Sequence, residues 1–124
     1  MVSTIGAVVP EGTSRAAVVR AAFPPGSMTG APKISAMAIS DRLEDVPRGV
    51  YSGAIGYFSA SGAVDLSVAI RSLVTVLDES GAVRSRTLGA GGAVTWSSVP
   101  ADEADEVETK TRSVLGGVGA VANW

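Results

Sequence analysis

Three features of this sequence predict an α/β fold of the α+β kind, with mostly antiparallel strands and three helices. Two long β-rich runs, residues 50–60 and 64–77, are separated only by a short turn at Ser61 and Gly62. Helix-start residues stand at three places: Thr13 and Ser14, Pro32, and Pro100. The 124 residues are 46% hydrophobic and 18% charged, which suits one domain over residues 1–124 with a core of its own.

Taken in order, the elements follow from local pattern. The chain opens on an apolar run, residues 2–9, read as a short strand that Pro10, Glu11 and Gly12 end. Thr13 and Ser14 can cap a helix reaching about Ala22, with Ala16, Val19, Ala22 and Phe23 on its apolar side; Pro24 and Pro25 stop it. Proline suits a first helical turn, so a second helix starts at Pro32 and ends near Glu44. Ile34, Met37, Ala38, Ala36, Ile39 and Leu43 give it a broad stripe expected to be buried. In the 64–77 run, Val64, Leu66, Val68, Ile70, Val74 and Val76 share one face, expected to be core, while Asp65, Ser67, Ala69, Arg71, Leu73 and Thr75 share the other. A turn at 78–81 leads to a strand over 83–96, and the last helix follows Pro100 to about Leu115. No internal repeat or low-complexity linker divides the chain.

Composition limits the chemistry. Net charge is −2, which gives no electrostatic reason to expect nucleic acid or a membrane surface as a partner. With no Cys there is neither disulfide, thiolate nucleophile nor soft-metal site, which fits a cytoplasmic compartment. With no His, the usual general base and zinc ligand are missing, so any metal is a hard ion held by carboxylates, pointing to Mg²⁺. The first residues carry no signal-peptide pattern, and no apolar stretch reaches the roughly 18 residues that span a bilayer.

Three segments could carry a site. PPGSMTGAPK, residues 24–33, has the small residues and closing lysine of a phosphate loop, but Gly26 and Gly30 are too close for GxxxxGK and Ile34 replaces the Mg²⁺-binding hydroxyl. What remains is a helix entry whose free N–H groups favour an anion, with Ser27 and Thr29 adding hydroxyls; an ordinary helix cap fits the same residues. Arg71 has small neighbours, Ser67 and Ala69, on its face, and a guanidinium there can fork onto a carboxylate or simply snorkel into solvent. LGAGGAV, residues 88–94, breaks a strand with three glycines, as a bulge does or as a close approach by ligand or backbone requires. In the acidic helix that follows, Glu103, Glu106 and Lys110 lie at i, i+3 and i+7, on one face. Two such carboxylates can hold Mg²⁺ while the lysine neutralises a substrate anion, although a dipole-complementing helix start by itself explains the acids.

Together and in this order, FPPGSMTGAPKISAMAISDRLE, RGVYSGAIGYFSASGAVDLSVAIRS and GAGGAVTWSSVPADEADEVETKTRSVL resemble the C-terminal part of the chorismate-utilising enzymes. That family includes anthranilate synthase component I, aminodeoxychorismate synthase component I, and the isochorismate and salicylate synthases. The resemblance covers nearly the whole chain and implies part of an α/β sandwich around a Mg²⁺ and chorismate site. Carried over by position, it implies Glu106 as a direct Mg²⁺ ligand and Glu103 in the metal's water shell. It implies Arg71 and Tyr51 on a substrate carboxylate, and Ser27 near the ring carboxylate. Backbone N–H groups of Gly91, Gly92 and Ala93 would face a carboxylate, and Lys110 is the basic residue one turn after the metal glutamate. Ala93 stands where the family commonly has glycine, and Ser97 where aspartate is frequent.

GSMTGAPK, VYSGAIGYFSASGAVDLSVAIR and GGAV look most like the aminodeoxychorismate synthase branch, which aminates chorismate at C4 on the route to 4-aminobenzoate and folate, with ammonia from a glutamine amidotransferase subunit or domain. Anthranilate synthase component I, which aminates at C2 and then releases pyruvate, is the alternative. The resemblance also implies that segments holding the remaining metal carboxylates, a nucleophilic lysine and a histidine just before Met1 lie upstream. The expectation is therefore a fragment of the catalytic domain, inactive by itself and self-associating through apolar surface that its missing part would cover. A non-catalytic truncated product is the competing expectation.

Overall fold

The computed structural model describes residues 3–120. Four helices and four strands follow one another in the order α1 (Arg15–Ala22), α2 (Gly26–Thr29), α3 (Lys33–Leu43), β1 (Ala54–Phe58), β2 (Val64–Val68), β3 (Leu73–Leu77), β4 (Val83–Leu88) and α4 (Pro100–Gly116). The strands form two antiparallel pairs, β1 with β2 and β3 with β4, so the expected α+β class and antiparallel pairing hold. The three expected helices are present as α1, α3 and α4, and the single turn α2 is additional.

Each helix boundary has a local cause. Ser14 caps α1, its hydroxyl accepting from the Ala17 N–H at 3.1 Å, and Phe23, followed by Pro24 and Pro25, ends it. Pro32 caps α3 with its carbonyl, which accepts from Ala36 N–H at 2.9 Å. Pro100 opens α4, with Asp102 and Glu103 in the first turn where the helix dipole favours acids.

Both hairpins close with one sequence device, SASGA at 59–63 and DESGA at 78–82. In each, the first residue's N–H donates to the last residue's carbonyl, 2.8 Å in both, and the glycine N–H returns to the first carbonyl. Gly62 and Gly81 stand at φ 99° and 84°, a left-handed backbone that a side chain at either position would oppose. Asp78 reinforces the second turn: its Oδ1 accepts from Ser80 Oγ at 2.6 Å, Ser80 N–H at 2.9 Å and Ala82 N–H at 3.0 Å.

Several expectations give way. No strand forms over residues 3–9, where Ile5 and Val8 are exposed and the backbone finds no ladder partner; Val2 lies outside the described residues. The 64–77 run is two strands, not one. Pairing extends as far as Ala69, whose N–H donates to Gly53 O and whose carbonyl accepts from Ser52 N–H, both at 2.9 Å. There Ile70 N–H turns back onto Val68 O at 3.0 Å, and Arg71 adopts φ 51°. The alternation of half-buried Val64, Leu66 and Val68 with exposed Asp65 and Ser67 is real but stops at this corner, which removes Arg71 from any strand face. The strand expected over 83–96 ends at Leu88.

The expected core is also missing. Ala69, 4% exposed, is the one buried hydrophobic residue among those described. The α3 stripe faces solvent, with Ile34 87% and Leu43 75% exposed, and β1 leaves Ile55, Tyr57 and Phe58 open. Each helix and hairpin has an apolar side, but no second layer covers these sides among the described residues.

The DESGA turn gives a pH prediction. Hydrogen bonds from the Ser80 hydroxyl, then from Ala82 N–H, hold the Asp78 carboxyl below its ordinary value, so their contribution is complete above the ordinary Asp range and is lost as pH falls through the lower folded value. The amide resonances of Ser80 and Ala82 are expected to titrate together below that ordinary range. In Asp78→Ala the shared titration disappears and the β3–β4 amides exchange faster.

Candidate functional site

The site is built around the glycines that follow β4. After Leu88 the chain abandons the ladder, and residues 89–94 run without regular structure between Tyr51 on one side and α4 on the other. A Cβ on Gly89 would collide with Cβ and Cγ of Tyr51, and one on Gly91 would sit 2.7 Å from the Tyr51 hydroxyl. On the other side a Cβ on Gly92 would lie 3.2 Å from Glu103 Oε2 and 3.5 Å from Val107 Cγ2. The side chains missing at Gly89 and Gly91 would fall in space that Tyr51 occupies, and one at Gly92 would press on Glu103.

Helix α4 meets this segment along one stripe. Glu103, Val107, Lys110, Thr111 and Val114 recur at three- and four-residue spacing, and all are half-buried or, for Thr111, buried. Lys110 Nζ donates to Gly91 O at 3.2 Å and pairs with Glu106 Oε1 at 3.0 Å. The Thr111 hydroxyl is turned inward onto Val107 O at 2.9 Å. Glu103 is fixed from the loop before the helix: Ser98 Oγ donates to its Oε1 at 2.6 Å and itself accepts from Thr95 N–H at 2.9 Å. Glu106 is more open, its side chain 53% exposed.

The structure thus brings Tyr51, Gly91, Gly92, Glu103, Glu106 and Lys110 into one neighbourhood. Ala93 and its neighbour Val94 are exposed at the segment's far end. Arg71 and Ser27 are not part of that contact set. Arg71 is exposed on the corner after β2, two residues beyond Ala69, which pairs with Ser52 and Gly53 next to Tyr51. Ser27 lies exposed in α2, beside Met28, whose carbonyl accepts from Arg48. Arg48 and Ser98 carry no sequence-level assignment, yet each fixes a part of the site. The Glu44–Arg48 spacing of four is the one signal that pointed to the first, as a pair spanning the end of α3; nothing in the sequence marks Ser98.

Lys33 also finds a place. Its ammonium donates to Pro24 O at 2.7 Å, so the lysine that imitates a phosphate loop instead braces the two ends of PPGSMTGAPK against each other. The Thr29 hydroxyl likewise turns inward, donating to Pro25 O at 3.3 Å, and α2 is capped by Pro25, not by a side-chain hydroxyl.

A metal fits this donor set in part. Glu103 and Glu106 offer hard oxygen donors one turn apart, as Mg²⁺ prefers, while no group of three or more His, Cys, Asp or Glu converges among the described residues. Mg²⁺ ordinarily keeps several waters and takes only one or two carboxylates, so the pair suits that ion better than a cage-seeking metal.

Residues 1–116 match the family model described as chorismate binding enzyme. Among curated proteins, the chain is 57% identical over 115 residues to the aminodeoxychorismate synthase of Streptomyces griseus, an alignment covering 93% of this chain and 15% of that protein. It is 48% identical over 113 residues to the chloroplastic aminodeoxychorismate synthase of Arabidopsis thaliana, covering 91% of the chain and 12% of that protein. Against anthranilate synthase component 1 of Thermococcus kodakarensis the identity is 44% over 109 residues, 88% of the chain and 24% of the relative. The chain therefore spans from about an eighth to a quarter of the length of these relatives. With the family model covering nearly all of its residues, the chain belongs to the chorismate binding enzymes.

Proposed function

We propose that this chain is the chorismate-binding, Mg²⁺-dependent portion of an aminodeoxychorismate synthase component I, which aminates chorismate at C4. The observation that carries the reading is the clasp on residues 89–92, with Tyr51 on one side and Glu103 and Lys110 on the other. A dicarboxylate substrate needs what this neighbourhood offers: backbone N–H groups at Gly91 and Gly92 with no side chain and at Ala93 with only a methyl, a phenol at Tyr51, and the cation of Lys110. Arg71 and Ser27 complete the proposed substrate set from the corner after β2 and from α2. Glu106, with Glu103 behind it, is the proposed Mg²⁺ position; bound there, the ion would neutralise carboxylate charge that this acidic helix otherwise repels. Lys110 then serves twice, balancing Glu106 and holding the Gly91 carbonyl.

Identity supports the C4 branch, since aminodeoxychorismate synthases match at 57% and 48% and the anthranilate synthase component at 44%. Anthranilate synthase component I is the second reading, on the strength of that last match. In the proposed whole enzyme, ammonia comes from a glutamine amidotransferase subunit or domain, in the cytoplasm. No described helix is long and apolar enough to cross a membrane.

The 124 residues by themselves are proposed not to turn chorismate over, because two carboxylates and an open sheet surface do not enclose a substrate. The test is a segment swap in which this chain replaces the matching 115 residues of the Streptomyces griseus enzyme. The swapped enzyme is expected to form aminodeoxychorismate from chorismate, ammonia and Mg²⁺, whereas release of anthranilate would favour the second reading. Glu106→Gln in the swapped enzyme is expected to abolish Mg²⁺-dependent turnover, and unaffected activity would overturn the ligand assignment.

Self-association of the 124-residue chain is the corresponding proposal for the exposed faces of α3 and β1, where Ile34, Leu43, Ile55, Tyr57 and Phe58 stand in solvent. Light scattering at micromolar concentration is expected to report a dimer or larger species; a sharp monomer would refute it.

A further inference from the structure

Between α3 and the 44–53 segment a cleft of about 560 Å³ opens, lined among others by Phe23, Pro24, Met37, Glu44, Arg48 and Tyr51. Arg48 is part of its lining and is bonded in three directions. Nε donates to Glu44 Oε2 at 2.7 Å while Nη2 pairs with Glu44 Oε1, a two-pronged grip on a carboxylate at the end of α3. Nη1 donates to Met28 O at 2.7 Å, reaching the turn that carries Ser27, and contacts Ser52 Oγ at 3.4 Å, next to Tyr51. Ser52 stands at φ 70°, a left-handed conformation uncommon for serine, and its N–H is tied to Ala69 O at the corner that leads to Arg71. Glu44 is held below the usual carboxylate range by its hydrogen bonds from Arg48, so the pair stays ionised at neutral pH.

We propose that Arg48 is a positioning residue for chorismate: anchored by Glu44, its guanidinium sets the spacing between the Ser27 turn and the Tyr51–Ser52 turn. The proposal rests on the substrate roles of Ser27 and Tyr51 given above. The geometry explains why this position needs arginine. A lysine ammonium can replace the charge, but it cannot hold a carboxylate with two prongs and a backbone carbonyl with a third in one plane. The interaction also connects otherwise separate segments. Ser27 reaches Tyr51 through Met28, Arg48 and Ser52, and Ser52 reaches the Arg71 corner through Ala69, the one buried hydrophobic residue among those described. Loss of the guanidinium would leave each substrate residue in place on its own element but unregistered against the others. A displacement of that kind is enough to cost about a hundredfold in a reaction that depends on orientation.

The test uses the segment-swapped synthase with Arg48→Met, Arg48→Lys, Glu44→Gln, Ser27→Ala and Tyr51→Phe. Expected is a rise of about tenfold or more in the KM for chorismate in Arg48→Met, with Arg48→Lys failing to restore it. Ser27→Ala should add little further in the Arg48→Met background, because the turn is already out of register. Should Arg48→Met not fold, Glu44→Gln decides, with a smaller rise in KM expected from a loosened anchor. If Ser27→Ala and Tyr51→Phe raise KM while the Arg48 and Glu44 variants leave it unchanged, the positioning role is overturned and the substrate reading stands. If Ser27→Ala and Tyr51→Phe leave KM unchanged, the substrate reading falls and the positioning role with it.

Discussion

Three absent side chains govern this structure. At Gly89, Gly91 and Gly92 the backbone comes so near to Tyr51 and α4 that a Cβ would meet the tyrosine ring on one side and Glu103 on the other. The same bareness makes the segment useful, since N–H groups that no side chain shields are free to meet an anion. Tyr51 arrives at its place because the 48–53 turn is pinned to Ala69, and α4 arrives at its place because Lys110 and Val107 rest on the glycines. Replacing Gly89 would push Tyr51 off the segment and so separate elements far apart in sequence, whereas a side chain at Gly92 would ask Glu103 to give by only a small shift.

The rest of the molecule shows what such a clasp can and cannot do without a core. Helix and hairpin boundaries are set locally, by Ser14, Pro32, Pro100 and the paired SGA turns, and they form with almost no buried apolar area. Burial is different, because it needs an opposing layer. With Ala69 the one buried hydrophobic among described residues, the apolar area is only partly removed from water and no enclosed core forms. The apolar stripe of α3 and the open face of β1 stay exposed among the described residues, and the chain spans about a seventh of one relative and an eighth of another.

This division also explains what could be read in the sequence. Capping residues, proline positions and the SGA turns act over four or five residues, and the boundaries of α1, α3 and α4 and both hairpin turns were legible to within one or two residues. The i, i+3, i+7 face of Glu103, Glu106 and Lys110 was legible for the same reason, since helix geometry alone fixes it. The failures all involve contacts at long range. Alternation ran through Val68 to Val76 in the sequence, but the corner at Ala69 depends on Gly53, sixteen residues upstream, and it moved Arg71 off the strand. The stripe of α3 marked a buried face without saying where its cover would come from. The Glu44–Arg48 pair has helix spacing, but the reach of Arg48 to Met28 and of Ser98 to Glu103 is set by folding and not by spacing.

The acidic helix brings local and long-range effects together at the proposed metal position. Glu106 is paired with Lys110 at 3.0 Å, and its carboxylate is more than half exposed. An ion pair in that setting contributes no more than about 1 kcal/mol, so a divalent cation can take the carboxylate at little cost. Lys110 would not be stranded by the exchange, because it keeps its bond to Gly91 O and remains beside the segment that the substrate anion would meet. Glu103 differs: it is half-buried and its Oε1 already accepts from Ser98 Oγ, which in the proposed site suits it to orienting water. The two glutamates lie on one helix face in unequal surroundings, and the proposal of Glu106 as direct ligand with Glu103 behind it rests on that inequality.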